Sequence, residues 1–187
     1  MKFKESKLKG AFEIELEPKG DNRGFFMRVY DEKIFKENGL NREWVQENYS
    51  FSKEKDTIRG LHFQYPPNAE AKLVKIMEGE VFFAYVDLRK NSATFGKWDS
   101  VLLSKENHKM VFIPEGFALG MCTLTTNCVL YYKMGNYYAP ENSDTIHWND
   151  SDLGIVWPTK IPSNISEKDS KAKSFKEFCE QKGAINI

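Results

Sequence analysis

The chain lacks any excess of basic charge: 27 Lys and Arg balance 27 Asp and Glu over 187 residues. Nucleic acid and anionic membrane are both bound through surplus cations, so neither is expected as the main partner. A local basic pocket for a small phosphorylated molecule is still compatible with zero net charge. Cysteine is scarce. Cys122, Cys128 and Cys179 are odd in number and show no metal-type spacing, so they read as reduced, cytoplasmic thiols and not as a disulfide frame. Met1-Lys2-Phe3-Lys4-Glu5 is charged and lacks the apolar run of a signal peptide. No run elsewhere approaches a membrane span. His62, His108 and His147 are the only histidines, and no His-x-His or His-x-x-x-His pair exists, which argues against a metal site. A Gly-rich phosphate loop is missing too, since Gly20 and Gly24 are isolated.

What the chain has is alternation and aromatic residues, 14% of the total. Strands are expected over Phe12 to Glu17, Arg23 to Tyr30, Trp44 to Ser52 and Thr57 to Gln64. Lys19-Gly20-Asp21-Asn22 reads as a turn, and Glu32 to Asn38 as a short helix stopped by Gly39. Leu73 to Met77 and Val81 to Leu88 read as a hairpin around Glu78-Gly79-Glu80. Further strands are expected over Lys97 to Leu103, Lys109 to Ile113, Gly120 to Thr125 and Val129 to Met134. So many short strands predict an all-β antiparallel sandwich or barrel. Ser166-Glu167-Lys168-Asp169 has the form of a helix-start capping box. Phe175, Phe178, Cys179 and Lys182 then follow helical spacing up to Gly183, which gives a C-terminal helical arm over about 167–183. No boundary divides residues 1–187, so a single domain is expected.

His62 is the first candidate for chemistry. It lies in Ile58-Arg59-Gly60-Leu61-His62-Phe63-Gln64, with Lys72 close behind, and shares a strand face with Gly60 and Gln64. Near cations, an imidazole can be a neutral base working near its own pKa. It can equally be hydrogen-bonded into a wall. Arg23, Arg59 and Lys72 would suit phosphates or a developing oxyanion, or be ordinary surface charge. Asp169 can orient a histidine, but spacing alone favours a helix-dipole role at the third helical position. Tyr132 and Tyr131 face opposite ways on one strand, and either can be a cavity phenol or strand filler. Tyr137 and Tyr138 follow it and can stack on a planar ring or cap the sheet.

These residues fall in a longer ordered set. Asp21-Asn22-Arg23-Gly24-Phe25-Phe26, Gln46-Glu47-Asn48-Tyr49-Ser50, Arg59-Gly60-Leu61-His62-Phe63-Gln64 and Ala71-Lys72-Leu73-Val74 open it. Gly79-Glu80-Val81, Val86-Asp87-Leu88-Arg89, Ser92-Ala93-Thr94-Phe95-Gly96 and Ile113-Pro114-Glu115-Gly116-Phe117-Ala118 continue it. Tyr137-Tyr138-Ala139-Pro140, Trp148-Asn149-Asp150 and Ser166-Glu167-Lys168-Asp169 close it. Together they resemble the dTDP-4-dehydrorhamnose 3,5-epimerase family, the RmlC-like cupins. The resemblance implies a cupin jelly-roll barrel with short peripheral helices and a cofactor-free, metal-free epimerase. It implies a nucleotide-diphosphate 4-keto-6-deoxy sugar as substrate. It also implies a homodimer whose N-terminal strands reach the neighbouring subunit. By position, His62 corresponds to the family's base, Asp169 to its orienting partner, Tyr132 to the proton donor and Lys72 to a group near the C4 oxygen. Arg23 and Arg59 match diphosphate contacts. Phe26, Gln46, Asn48, Tyr138 and Lys168 match the ligand contacts around them.

Three positions depart from the family pattern. Arg28 stands where Glu is usual, Leu119 where a second histidine is usual, and Ser143, with Asp144 beside it, where another Glu is usual. All three bear on ligand contact and none on His62, Asp169 or Tyr132. The expectation is an intact proton-transfer set with altered recognition. Inversion of C3 alone or C5 alone, another nucleotide sugar, or a non-catalytic sugar-nucleotide-binding cupin are the competing readings.

Overall fold

Alternation from Val81 to Val86 sends its two sets of side chains into two different cores. Val81, Phe83 and Tyr85 point one way and Phe82, Ala84 and Val86 the other. This is what a strand with both faces covered requires. A computed structural model describes residues 1–187. The chain begins with β1 (Lys2–Glu5), β2 (Phe12–Glu15), the short pair β3 (Lys19–Asp21) and β4 (Gly24–Phe26), and α1 (Glu32–Glu37). The central strands are β5 (Gln46–Ser52), β6 (Thr57–Gln64), β7 (Lys72–Glu78), β8 (Glu80–Asp87), β9 (Trp98–Ser104), β10 (Lys109–Ile113), β11 (Phe117–Thr123) and β12 (Cys128–Met134). β13 (Ser143–Thr145), β14 (Asn164–Ile165), α2 (Glu167–Ser170) and α3 (Phe175–Lys182) complete it.

Two sheets face each other as a jelly roll. The first runs β1-β2-β10-β7-β12-β5 and the second β13-β6-β11-β8-β9, with β14 added to β6. Every pairing is antiparallel except β14 on β6. The largest core lies between the sheets, built on Val74, Ile76, Phe83, Val111 and their neighbours. The outer face of the second sheet is covered by Trp148, Trp157 and Phe178, and that of the first by Phe35 and Leu40. Each fully buried Leu, Ile or Phe contributes about 1.5–3 kcal/mol. No helix is long and apolar enough to cross a membrane.

Several expectations need correction. β7 and β8 do not form a hairpin: they lie in different sheets, and Gly79 turns the corner between them with φ +78°. A Cβ there would lie 2.7 Å from both Cys128 Sγ and Thr125 Oγ1. The signal for a tight turn was real, but two strands with both faces apolar separate more favourably into two layers than they pair. Lys19–Asp21 is a strand pairing with Gly24–Phe26, so the turn sits later than expected and the strand stops well before Tyr30. The C-terminal arm is two helices, because Ser174 starts α3 with its own capping box to Glu177. β1, β13 and β14 are too short to show periodicity.

One family-like motif proves structural. Asp87, fully buried, accepts hydrogen bonds from Arg89 Nε and Nη2, Ser92 Oγ and Thr94 Oγ1, and so clamps the turn after β8. Burial alone would raise its pKa, but these bonds outweigh burial and hold the carboxyl low. Asp87→Ala is expected to cost about 3–5 kcal/mol, read as a fall in the urea midpoint. The carboxyls of Asp144 and Asp169 are also held low against burial. Stability from the three is therefore complete above the ordinary Asp value of about 4 and is lost as pH falls through their lower folded values. Urea titrations at neutral and acid pH check this sign.

Candidate active site

His62 sits on β6, inside the second sheet, paired with Leu119 of β11 on one side and Thr145 of β13 on the other. Its partner is distant in sequence but not in the fold. β14 runs parallel to the start of β6, with Ile165 beside Ile58, and delivers α2 to that strand. Ser166 caps α2 by accepting the Asp169 N–H at 3.1 Å. In α3 the equivalent acid, Glu177, reaches back to the N-cap backbone. The Asp169 carboxylate turns instead to β6. Oδ1 lies 2.7 Å from His62 Nε2, and Oδ2 accepts the Gly60 N–H at 3.2 Å. Asp169 is 3% exposed. Burial pushes its pKa up, and the bonds to His62 and Gly60 more than reverse this. An ionised Asp169 fixes the hydrogen on Nε2 and leaves Nδ1 free to accept a proton.

Gly60 makes this arrangement possible. Its φ is +101°, and a Cβ would come 2.3 Å from Leu119 O and 2.8 Å from Gly120 Cα. Here β11 is bulged between Leu119 and Met121. Only glycine allows the strands to approach so closely.

The facing sheet supplies the other groups. Tyr132 of β12 is paired with Asn48 of β5, and Met134 with Lys72 of β7. Lys72 Nζ donates to Glu70 Oε1 at 2.5 Å, and the Glu70 side chain is buried. Burial raises the pKa of the Tyr132 phenol, Arg59 opposes the rise and Glu70 adds to it. The phenol is therefore protonated at neutral pH. Tyr131 faces the other way, and burial together with Glu47 pushes its phenol up to about 12. Strand direction puts Tyr132, and not Tyr131, on the cavity side.

Between the sheets lies an open cavity of about 600 Å³, with His62 and Asp169 on one wall and Lys72 and Tyr132 on the other. Arg59, Gln46, Asn48, Tyr138 and Lys168 also line it. A deeper chamber of about 200 Å³ shares Arg59, His62, Lys72 and Tyr132, and continues between Val74, Phe83, Leu119, Met121 and Leu130. Arg59 is braced by Ser52 Oγ and Phe51 O, both at 3.1 Å. The Tyr138 N–H donates to Gln46 Oε1 at 2.5 Å. Gln64, on the His62 face, proves to be a clamp: its amide accepts from Ala139 N–H and donates to Tyr137 O, holding the Tyr138 segment.

Two expected ligand contacts are not brought to this cavity. Arg23 and Phe26 lie on the β3–β4 hairpin, where Arg23 Nη2 pairs with Asp21 at 2.6 Å and Phe26 is 67% exposed. Arg28 is also outside the cavity, paired with Asp31 at 2.9 Å. Ser143 does line it, but Asp144 does not replace the usual acid, because its carboxylate accepts from Tyr65 and Lys173. His108 and His147 are elsewhere, and no three His, Cys, Asp or Glu side chains gather as a metal set. Sequence reasoning missed Glu70. The available signal was its place two residues before Lys72 in a loop between strands, where a carboxylate can turn onto the ammonium.

The family described as dTDP-4-dehydrorhamnose 3,5-epimerase matches residues 5–177. The dTDP-4-dehydrorhamnose 3,5-epimerase of Methanothermobacter thermautotrophicus is 46% identical over 178 residues, spanning 94% of this chain and 95% of that one. The crystal structure of the Bacillus anthracis enzyme of that name, with TDP and PPi bound, gives a TM-score of 0.90 at 40% identity, over 92% of this chain and 98% of that one. The Legionella pneumophila dTDP-6-deoxy-D-glucose-3,5-epimerase, in complex with dTDP-4-keto-L-rhamnose, gives 0.88 at 38% identity, over 92% of each chain. The chain belongs to the dTDP-4-dehydrorhamnose 3,5-epimerase family.

Proposed function

We propose that the chain is an isomerase that inverts C3, C5 or both in a dTDP-4-keto-6-deoxy sugar. The observation that carries this reading is the location of His62 and Tyr132 on facing sheets, across one cavity. Inversion needs a proton removed from one face of a ring and returned to the other. The C4 ketone acidifies the hydrogens at C3 and C5. His62 Nδ1 takes one of them, the C–H electron pair becomes the C3–C4 or C4–C5 double bond, and charge moves to the C4 oxygen. Lys72 stabilises that enolate. Tyr132 then gives its proton to the carbon from the other side and recovers one from solvent, while His62 releases its own. Only protons move, so electrons balance without an acceptor.

Arg59 and Lys168 are the cations of this cavity not held by an acid, and they suit the diphosphate. Tyr138 suits stacking on the base. Two cations are few for a diphosphate, and the exposed Arg23–Phe26 hairpin supplies what is missing if it enters the cavity of a second copy. The assembly is thus read as a homodimer with shared sites. Three free cysteines suit a cytoplasmic enzyme.

The test is incubation with dTDP-4-keto-6-deoxyglucose in heavy water, followed by NMR of C3 and C5. Deuterium uptake with inversion is expected, and its absence at both carbons sinks the reading. Subunit sharing has its own test. Arg23→Ala and His62→Asn chains, each nearly inactive, are expected to recover about a quarter of wild-type activity when dimers are reshuffled one to one, since half are mixed and each mixed dimer holds one intact site. No recovery means that Arg23 does not serve a neighbour.

A further inference from the structure

We propose that Leu119 is a specificity residue that favours proton exchange at the methyl-bearing C5 over the hydroxyl-bearing C3. The proposal rests on the epimerase reading above. Leu119 is the direct cross-strand partner of His62, and both side chains face the deeper chamber. Cross-strand partners hold their Cβ atoms about 4.5–5.5 Å apart. Whatever sits beside the C–H offered to His62 therefore meets Leu119.

The rest of that wall offers no alternative polar partner. Met121 follows on β11, and Phe83 is paired with Met121 from β8. The polar groups of the chamber are already engaged or lie across it. His62 Nε2 is held by Asp169, and Arg59, braced by Ser52 and Phe51 O, is the cation assigned above to the diphosphate. Lys72 and Tyr132 belong to the facing sheet, and Ser50 lies on β5 of that same sheet.

C3 and C5 are equivalent in their relation to the C4 ketone but differ in what they carry. With C5 at His62, the C6 methyl packs on Leu119 and leaves water. With C3 there, a hydroxyl is pressed against an apolar wall and loses its hydrogen bonds. A buried apolar contact of one carbon discriminates by about tenfold or more.

The experiment measures separate deuterium-exchange rates at C3 and C5 for the wild-type enzyme and Leu119→Asn, with dTDP-4-keto-6-deoxyglucose in heavy water. In the wild type, C5 exchange is expected to exceed C3 exchange about tenfold or more. Leu119→Asn adds a hydrogen-bonding group of similar size and is expected to narrow the ratio by raising the C3 rate relative to C5. C3 exchange as fast as C5 in the wild type overturns the proposal, and this holds even if the variant does not fold. A folded variant with both rates lowered equally also overturns it, since Leu119 would then only pack. Exchange at neither carbon overturns the proposal and the epimerase reading together. Exchange at both carbons with C3 faster overturns the proposal alone.

Discussion

His62→Asn is expected to lower deuterium exchange at C3 and C5 by about 10²–10⁴-fold while leaving the fold intact. Asparagine is chosen because of Asp169. That carboxylate is 3% exposed and accepts from His62 Nε2 and Gly60 N–H. Removing the imidazole altogether, as in His62→Ala, would leave a buried charge without its main partner, at a cost of about 1–3 kcal/mol. The fall in activity would then mix lost chemistry with lost structure. Asparagine keeps a polar amide in the pocket beside that carboxylate, but it has no lone pair basic enough to accept a carbon-bound proton. Thermal unfolding of the variant should stay within a few degrees of wild type, about 1 kcal/mol or less. Exchange that persists within tenfold of wild type would remove His62 as the base.

The sequence made most strands legible because their periodicity is driven by burial. Thr57–Gln64 and Lys109–Ile113 are observed as expected, and most other strands differ only at their ends. Pairing was less legible. The two apolar runs around Gly79 look local, yet the core between the sheets separates them. The site was legible in part for a similar reason. His62 and Lys72 are near each other in sequence, so their chemistry can be guessed together. Asp169 is 107 residues from His62. Its sequence context matches an ordinary capping box, and only the parallel placement of β14 on β6 shows why its carboxylate is diverted. The family-like order of motifs located it where spacing favoured a helix role. The same order also mixes roles. Asp87 and Gln64 lie in motifs of equal apparent weight but hold turns and loops, whereas Glu70, in no motif, contacts Lys72. Arg23 and Phe26 are expected as ligand contacts, but one chain does not bring them to its own cavity.

Tyr132→Phe separates removal of the proton from its return. The variant is expected to keep exchanging deuterium while inversion falls by about 10²–10⁴-fold. The reason is geometric. His62 stands on one sheet and Tyr132 on the other, so losing the phenol leaves the base and the Lys72 enolate contact in place. A deuteron acquired by His62 from solvent can return to the face it serves, which labels the sugar without inverting it. The substitution removes only the phenolic oxygen and keeps the ring against the core, so stability should change by less than about 1 kcal/mol. In the wild type, burial keeps the phenol protonated beyond its ordinary range, with Arg59 opposing and Glu70 reinforcing the shift. A raised pKa preserves the acid form to higher pH. Loss of the donor should therefore not limit inversion below pH of about 10. NMR of the recovered sugar in heavy water gives label and configuration in one spectrum. If label uptake and inversion fall together in Tyr132→Phe, the phenol acts on enolate formation and is not the donor. If neither falls, solvent returns the proton and Tyr132 only shapes the cavity.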